Sequence, residues 1–156
     1  MKHGVLQVFA AMTAVVVFSA TSAAAQALAD CDDWRSHVLA IAEPWEANTK
    51  TYDGGALRLV IMDVGEPVVG SYRLMVLTPP TDENPDGRQC TVMSLDADLG
   101  FAGLSFDGVT DFTDPTGLTV RIPAKRWIAA SDTYDDAVLS VTFNATDGAI
   151  AASFEN

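Results

Sequence analysis

Two adjacent apolar runs, Ala56–Asp63 and Ser71–Thr78, constrain this chain more tightly than any other feature of its sequence. Leu57, Leu59 and Ile61 fall on one face of the first run at a period of two, and Tyr72, Leu74 and Val76 do the same in the second. The opposite faces begin polar with Arg58 and Arg73, then turn apolar through Val60, Met62, Met75 and Leu77. Strands that are apolar on both faces are covered on both sides. The pair, joined across Val64–Gly70, is therefore expected at the middle of the sheet system.

Alternation continues in Gln89–Leu95, in Phe101–Phe106, and in Gly117–Pro123, where Leu118, Val120 and Ile122 oppose Thr119 and Arg121. Leu139, Val141 and Phe143, then Ile150, Ala152 and Phe154, flank an Asp147-Gly148 turn and read as a closing hairpin. Gly and Pro turn signals at Asp53–Gly55, Asn84–Gly87, Asp107-Gly108 and Asp114–Gly117 separate the runs. The expected fold is all-β: a single antiparallel β-sandwich or barrel of about eight short strands. A short N-terminal helix is expected ahead of it. Asp32 and Asp33 precede Trp34, Val38 and Ile41 at helical spacing, and Pro44 ends the pattern. Pro79–Gly87 and the polar stretch Ser131–Asp136 read as exposed loops.

Residues 1–25 read as a secretory signal peptide. Lys2 and His3 form a positive start, Val5–Ala20 is apolar, and Ala23-Ala24-Ala25 offers small residues for cleavage before Gln26. The remaining 26–156 would form one disulfide-containing β domain in the periplasm or outside the cell, with no membrane span. Cys31 and Cys90 are the only cysteines, and an oxidising compartment joins them. Such a bond closes a loop of about sixty residues, worth on the order of 4 kcal/mol. Leu28-Ala29-Asp30-Cys31 also comes near a lipoprotein signal. Asp30 stands where that signal wants a small uncharged residue, and the apolar core ends too early, so lipid anchoring at Cys31 is the lesser reading.

All 21 acidic residues follow position 25, against eight of the nine basic ones (Lys2 is the ninth), a net charge of −13 for residues 26–156. A surface of that sign repels nucleic-acid phosphates and anionic lipid headgroups, and favours basic partners.

No catalytic set emerges. Gly103-Leu-Ser105-Phe-Asp107 lacks the second glycine of a nucleophile elbow, and His37 is the single histidine of residues 26–156. One histidine and two paired cysteines cannot build a zinc site. Asp96, Asp98, Asp107, Asp111 and Asp114 crowd the middle of the sequence, and the first four are weak calcium candidates. Most of these acids adjoin Gly or Pro turns, where aspartate serves its own backbone. The same carboxylates would be the acid and base of an alternative small cell-wall or polysaccharide hydrolase, with Trp34, Trp45 or Trp127 lining its cleft. Lys125-Arg126-Trp127, read as a loop beyond the strand ending at Pro123, is the expected contact surface. Pro79–Gly87 is its rival. The combined expectation is a non-enzymatic binding or structural module without cofactor, meeting another exported protein or envelope component. A calcium-stabilised domain is the further alternative. Mass spectrometry of the exported protein should give Gln26 as the first residue, two hydrogens lost from the cysteine pair, and no lipid on Cys31.

Overall fold

The computed structural model describes residues 26–80 and 85–155. The signal peptide read at 1–25 and the tip of the Pro79–Gly87 loop (81–84) lie outside those residues. Ten strands form two antiparallel sheets, each drawn from one half of the described chain. The first holds β1 (Ala27–Asp30), β2 (Thr49–Tyr52), β3 (Leu57–Asp63), β4 (Tyr72–Thr78) and β5 (Gln89–Ser94), in the order β1-β5-β4-β3-β2. The second holds β6 (Gly103–Leu104), β7 (Thr110–Asp114), β8 (Gly117–Ile128), β9 (Thr133–Asn144) and β10 (Ile150–Glu155). There β9 lies between β10 and β8, while β6 and β7 share the other edge of β8.

β4 is the central strand of its sheet and β3 lies beside it, both interior as their two-sided apolarity requires. Leu57, Leu59, Ile61, Leu74, Val76 and Met93 face inward and meet Val120, Ile122, Leu139, Val141 and Phe143 of the second sheet. Phe101 is fully buried between the layers and meets Phe154 edge-on, with ring centroids 5.9 Å apart. Burying side chains of this size stabilises the sandwich by roughly 1.5–3 kcal/mol each.

The outward side of β3 and β4 is covered by the chain itself. Since β1 and β2 sit at opposite edges, residues 31–48 must pass from one edge to the other. Val60, Met62 and Arg73 on that side are buried, residues 33–35 lie beside Arg73, and Ile41 pairs with Met62 beyond the end of β2. The expected short N-terminal helix is not formed here. Two 3₁₀ turns stand in its place, Trp34–Ser36 and Val38–Ala40, separated by extended backbone at His37. Asp33 caps the first turn by accepting from the Arg35 amide, and His37 Nδ1 accepts from Leu39 N. Local caps thus close each turn at three residues. Trp34, Val38 and Leu39 consequently point outward at 60 %, 67 % and 88 % exposure, so the helically spaced stripe never becomes a buried face.

The disulfide starts this crossing. Cys31 and Cys90 continue the β1–β5 register one step past Asp30–Thr91, with Cα atoms 5.5 Å apart. Both sulfurs are bonded to each other, which leaves Cys31 none for lipid. The bond fixes β1, a four-residue strand with only one neighbour. A Cys31→Ser/Cys90→Ser variant should lose about 4 kcal/mol in urea unfolding if the chain-entropy account holds. Loss of well under 1 kcal/mol would mean that β1 is held by its ladder alone.

Candidate functional site

The residues expected to form a contact loop, Lys125, Arg126 and Trp127, belong instead to β8. That strand does not end at Pro123; it pairs with β9 without a break from Gly117–Asn144 to Ile128–Thr133. Pro123 sits just past the end of the β6 pairing, where its carbonyl accepts from Ser105 N at 3.1 Å and its missing N–H breaks no ladder bond. The stretch Ser131–Asp136 is correspondingly not one loop. Ala129–Asp132 makes the turn, and Thr133 onward is strand.

The far end of this hairpin runs beyond its neighbours. The last residue of β9 paired to β10 is Val138, and the last of β8 paired to β6 is Lys125. Arg126–Ile128 and Thr133–Ala137 therefore form a two-stranded ribbon with free edges, an arrangement of marginal stability without added contacts. The contacts are present. Trp127 and Tyr134 face each other across the strands, ring centroids 5.1 Å apart and tilted by 58°, with Tyr134 55 % exposed. On the same face, Lys125 Nζ pairs with Asp136 at 2.7 Å. On the opposite face, Arg126 Nη2 meets Asp135 at 2.7 Å while its guanidinium carbon lies 5.1 Å from the Phe154 ring centre. The aromatic pair is thus held outward by an ion pair on each side of the ribbon.

The aspartates do not converge. Asp96 accepts from the amides of Asp98 and Leu99, closing its own turn, and Asp114 does the same for Thr116 and Gly117. The Thr116 hydroxyl, which also donates to Asp114, and then those amides hold its carboxyl below the usual carboxylate range. Asp107 follows Phe106 at a turn and Asp111 lies on exposed β7. No three His, Cys, Asp or Glu side chains gather as a cation site among the described residues. Ser105 accepts from the Asp107 amide, and His37 serves its own 3₁₀ turn, so neither activates the other here.

A second feature escaped the sequence reading. Arg73, expected on a polar outward face, is only 2 % exposed. Its Nη1 donates to the carbonyls of Gly70 at 2.7 Å and Tyr72 at 3.1 Å, and its Nη2 to that of Asp98 at 3.3 Å. It lines a cleft of about 430 Å³ with Asp33, Trp34, Arg35, Glu66, Pro67 and Asp98. Its neighbour Met62 across β3 is wholly buried, so an arginine inside a run apolar on both faces was the available signal. Beside it, Arg35 makes a side-chain pair with Asp33 and holds that carboxyl below its ordinary value. Burial pushes Arg73 down, and the neighbouring Arg35 charge adds to the effect.

Compared with protein-family models, curated proteins and solved structures, this chain matches none.

The lowered Asp33 pKa fixes a sign. Its stabilising contribution is complete above the unfolded value near 3.9 and is lost as pH falls through the lower folded one. Urea midpoints measured from pH 5 down to 2 should therefore fall further for the wild-type chain than for Asp33→Asn, and parallel curves would show that the pair contributes nothing.

Proposed function

We propose that this chain is an exported, non-enzymatic binding module whose contact surface is the protruding end of the β8–β9 hairpin. The observation that supports it most directly is the Trp127–Tyr134 pair, a half-buried indole packed on an exposed phenol and held by flanking ion pairs on a ribbon that reaches past both neighbouring strands. Aromatic side chains fixed before binding offer large contact area at small entropic cost, which is what interface anchors need. A disulfide is compatible with an oxidising compartment, and no helix among the described residues is long and apolar enough to cross a membrane.

The partner would be a macromolecule of the same compartment, neutral or basic at its contact face. Three of the cations in residues 26–156 are taken up by Glu155, Asp136 and Asp135, and the acidic excess stays outward. The hydrolase and calcium readings of Asp96, Asp98, Asp107 and Asp111 gain no geometry that would favour them.

Trp127→Ala and Tyr134→Ala should each lower the recovery of a specific co-purified partner by about tenfold or more, the scale of an interface anchor. Phe112→Ala, which removes a half-exposed ring on β7, should leave it unchanged. Equal loss from all three, or from none, overturns the assignment.

A further inference from the structure

The protruding end of the β8–β9 hairpin leaves a backbone edge open beside its aromatic pair. In an antiparallel ladder the N–H and C=O of one residue point to the same side, and successive residues alternate sides. Lys125 O accepts from Ala102 N, and Pro123 O from Ser105 N, so the odd-numbered residues of β8 bond away from β9. Asn144 N donates to Ala149 O on the β10 side, so the even-numbered residues of β9 bond away from β8. Thr133, Asp135 and Ala137 therefore bond to β8, while Tyr134 and Asp136 turn their N–H and C=O outward. The strand that would meet them, β10, ends at Glu155, opposite Val138. Among the described residues no turn, loop or side-chain bond reaches the backbone of Tyr134 or Asp136. Their donors and acceptors stand in line with β10, in the row that a further strand would fill.

An open edge accepts an extended peptide by backbone pairing, and the side chains along it decide which peptide. Asp132, Asp135 and Asp136 fall within five consecutive positions here. The Asp136 side chain stays 83 % exposed while paired with Lys125, and that of Asp135 48 % exposed while paired with Arg126. Asp132, at the turn, is exposed and enters no ion pair among the described residues. A carboxylate has acceptor sites for more than one donor. We propose that the outer edge of Thr133–Ala137 takes an extended, basic segment of another exported protein as an added strand. Its backbone bonds to Tyr134 and Asp136, and its lysines or arginines reach Asp132, Asp135 and Asp136. The proposal rests on the reading of this ribbon as a contact surface and names what the ribbon contacts. The Tyr134 ring then lies beside the added strand, against an apolar residue or a lysine stem. A second copy is the poorer occupant, because it would set its own three aspartates against these, and facing like charges repel.

The test is backbone amide exchange of the ¹⁵N-labelled protein, alone and with synthetic hexapeptides. One peptide alternates lysine with valine and a second alternates glutamate with valine. A third is the lysine peptide N-methylated at every residue, so that its backbone cannot donate. In the free protein the Tyr134 and Asp136 amides should exchange as if unprotected, and those of Asp135 and Ala137 slowly. The lysine peptide should slow Tyr134 and Asp136 by about tenfold, the scale of one backbone hydrogen bond, and the other two peptides should leave them unchanged. Equal slowing by the glutamate or the N-methylated peptide overturns the proposal, as does unchanged exchange with all three. Slow exchange of the two amides in the free protein overturns it as well, and if the slowing grows with protein concentration the occupant is a second copy. Recovery of the co-purified partner separates this proposal from the reading beneath it. A partner lost with Trp127→Ala, while the lysine peptide leaves both amides unprotected, overturns strand addition alone. Protected amides with a partner indifferent to Trp127→Ala support strand addition and overturn only the aromatic anchor.

Discussion

A guanidinium removed from water must find acceptors, and the way Arg73 finds them organises the first sheet and its link to the second. Its acceptors are the carbonyls of Gly70, Tyr72 and Asp98, so one side chain ties the β3–β4 connection to the turn that follows β5. The backbone closes the same join, with Gly100 N donating to Gly70 O at 2.9 Å and Tyr72 pairing with Phe101. Only glycine fits at 100, where a Cβ would stand 1.5 Å from Arg73 Nη1 and 2.1 Å from Tyr72 O. Two residues later Ala102 donates to Lys125 O of β8. The chain thus leaves one sheet and enters the other within a single short stretch held by a buried charge.

Other arginines repeat the device at the surface. Arg88 donates to the carbonyls of Gly55 and Ala56, steadying a turn in which Asp53, Gly54 and Gly55 all have positive φ. Arg35 reaches Ala97 O while paired with Asp33. In a chain so short of cations, using several of them on loop carbonyls leaves the acidic residues to set the external field. The electrostatic character of the surface and the rigidity of its loops have the same origin.

The two candidate surfaces differ in kind. The ribbon of β8 and β9 projects its aromatic pair and is held by contacts between neighbours in register. The Arg73 cleft is concave and is assembled from segments distant in sequence, at 33–35, 66–67 and 97–98. The crossing of residues 31–48 begins at the disulfide, so the sulfur bond bears on the cleft as well as on β1.

The sequence by itself determined the strands whose inner faces are apolar, the interior place of β3 and β4, the turns with Gly or Pro, and the only possible disulfide. Each of these rests on local chemistry: a period of two, a backbone conformation that few residues adopt, or a reactive pair with no competitor. Tertiary structure alone decided the rest. Ala27–Asp30 carries no strand signal and becomes one by completing the edge of β5. Trp34, Val38 and Leu39 have helical spacing, yet the crossing path keeps them exposed in 3₁₀ turns. Polar Ser131–Asp136 conceals the register that sets Trp127 against Tyr134, because ladder hydrogen bonds are made by backbone groups common to nearly every residue. Arg73 is polar by identity and buried by position, and only contacts with residues distant in sequence, those following β5, could settle which of the two prevailed.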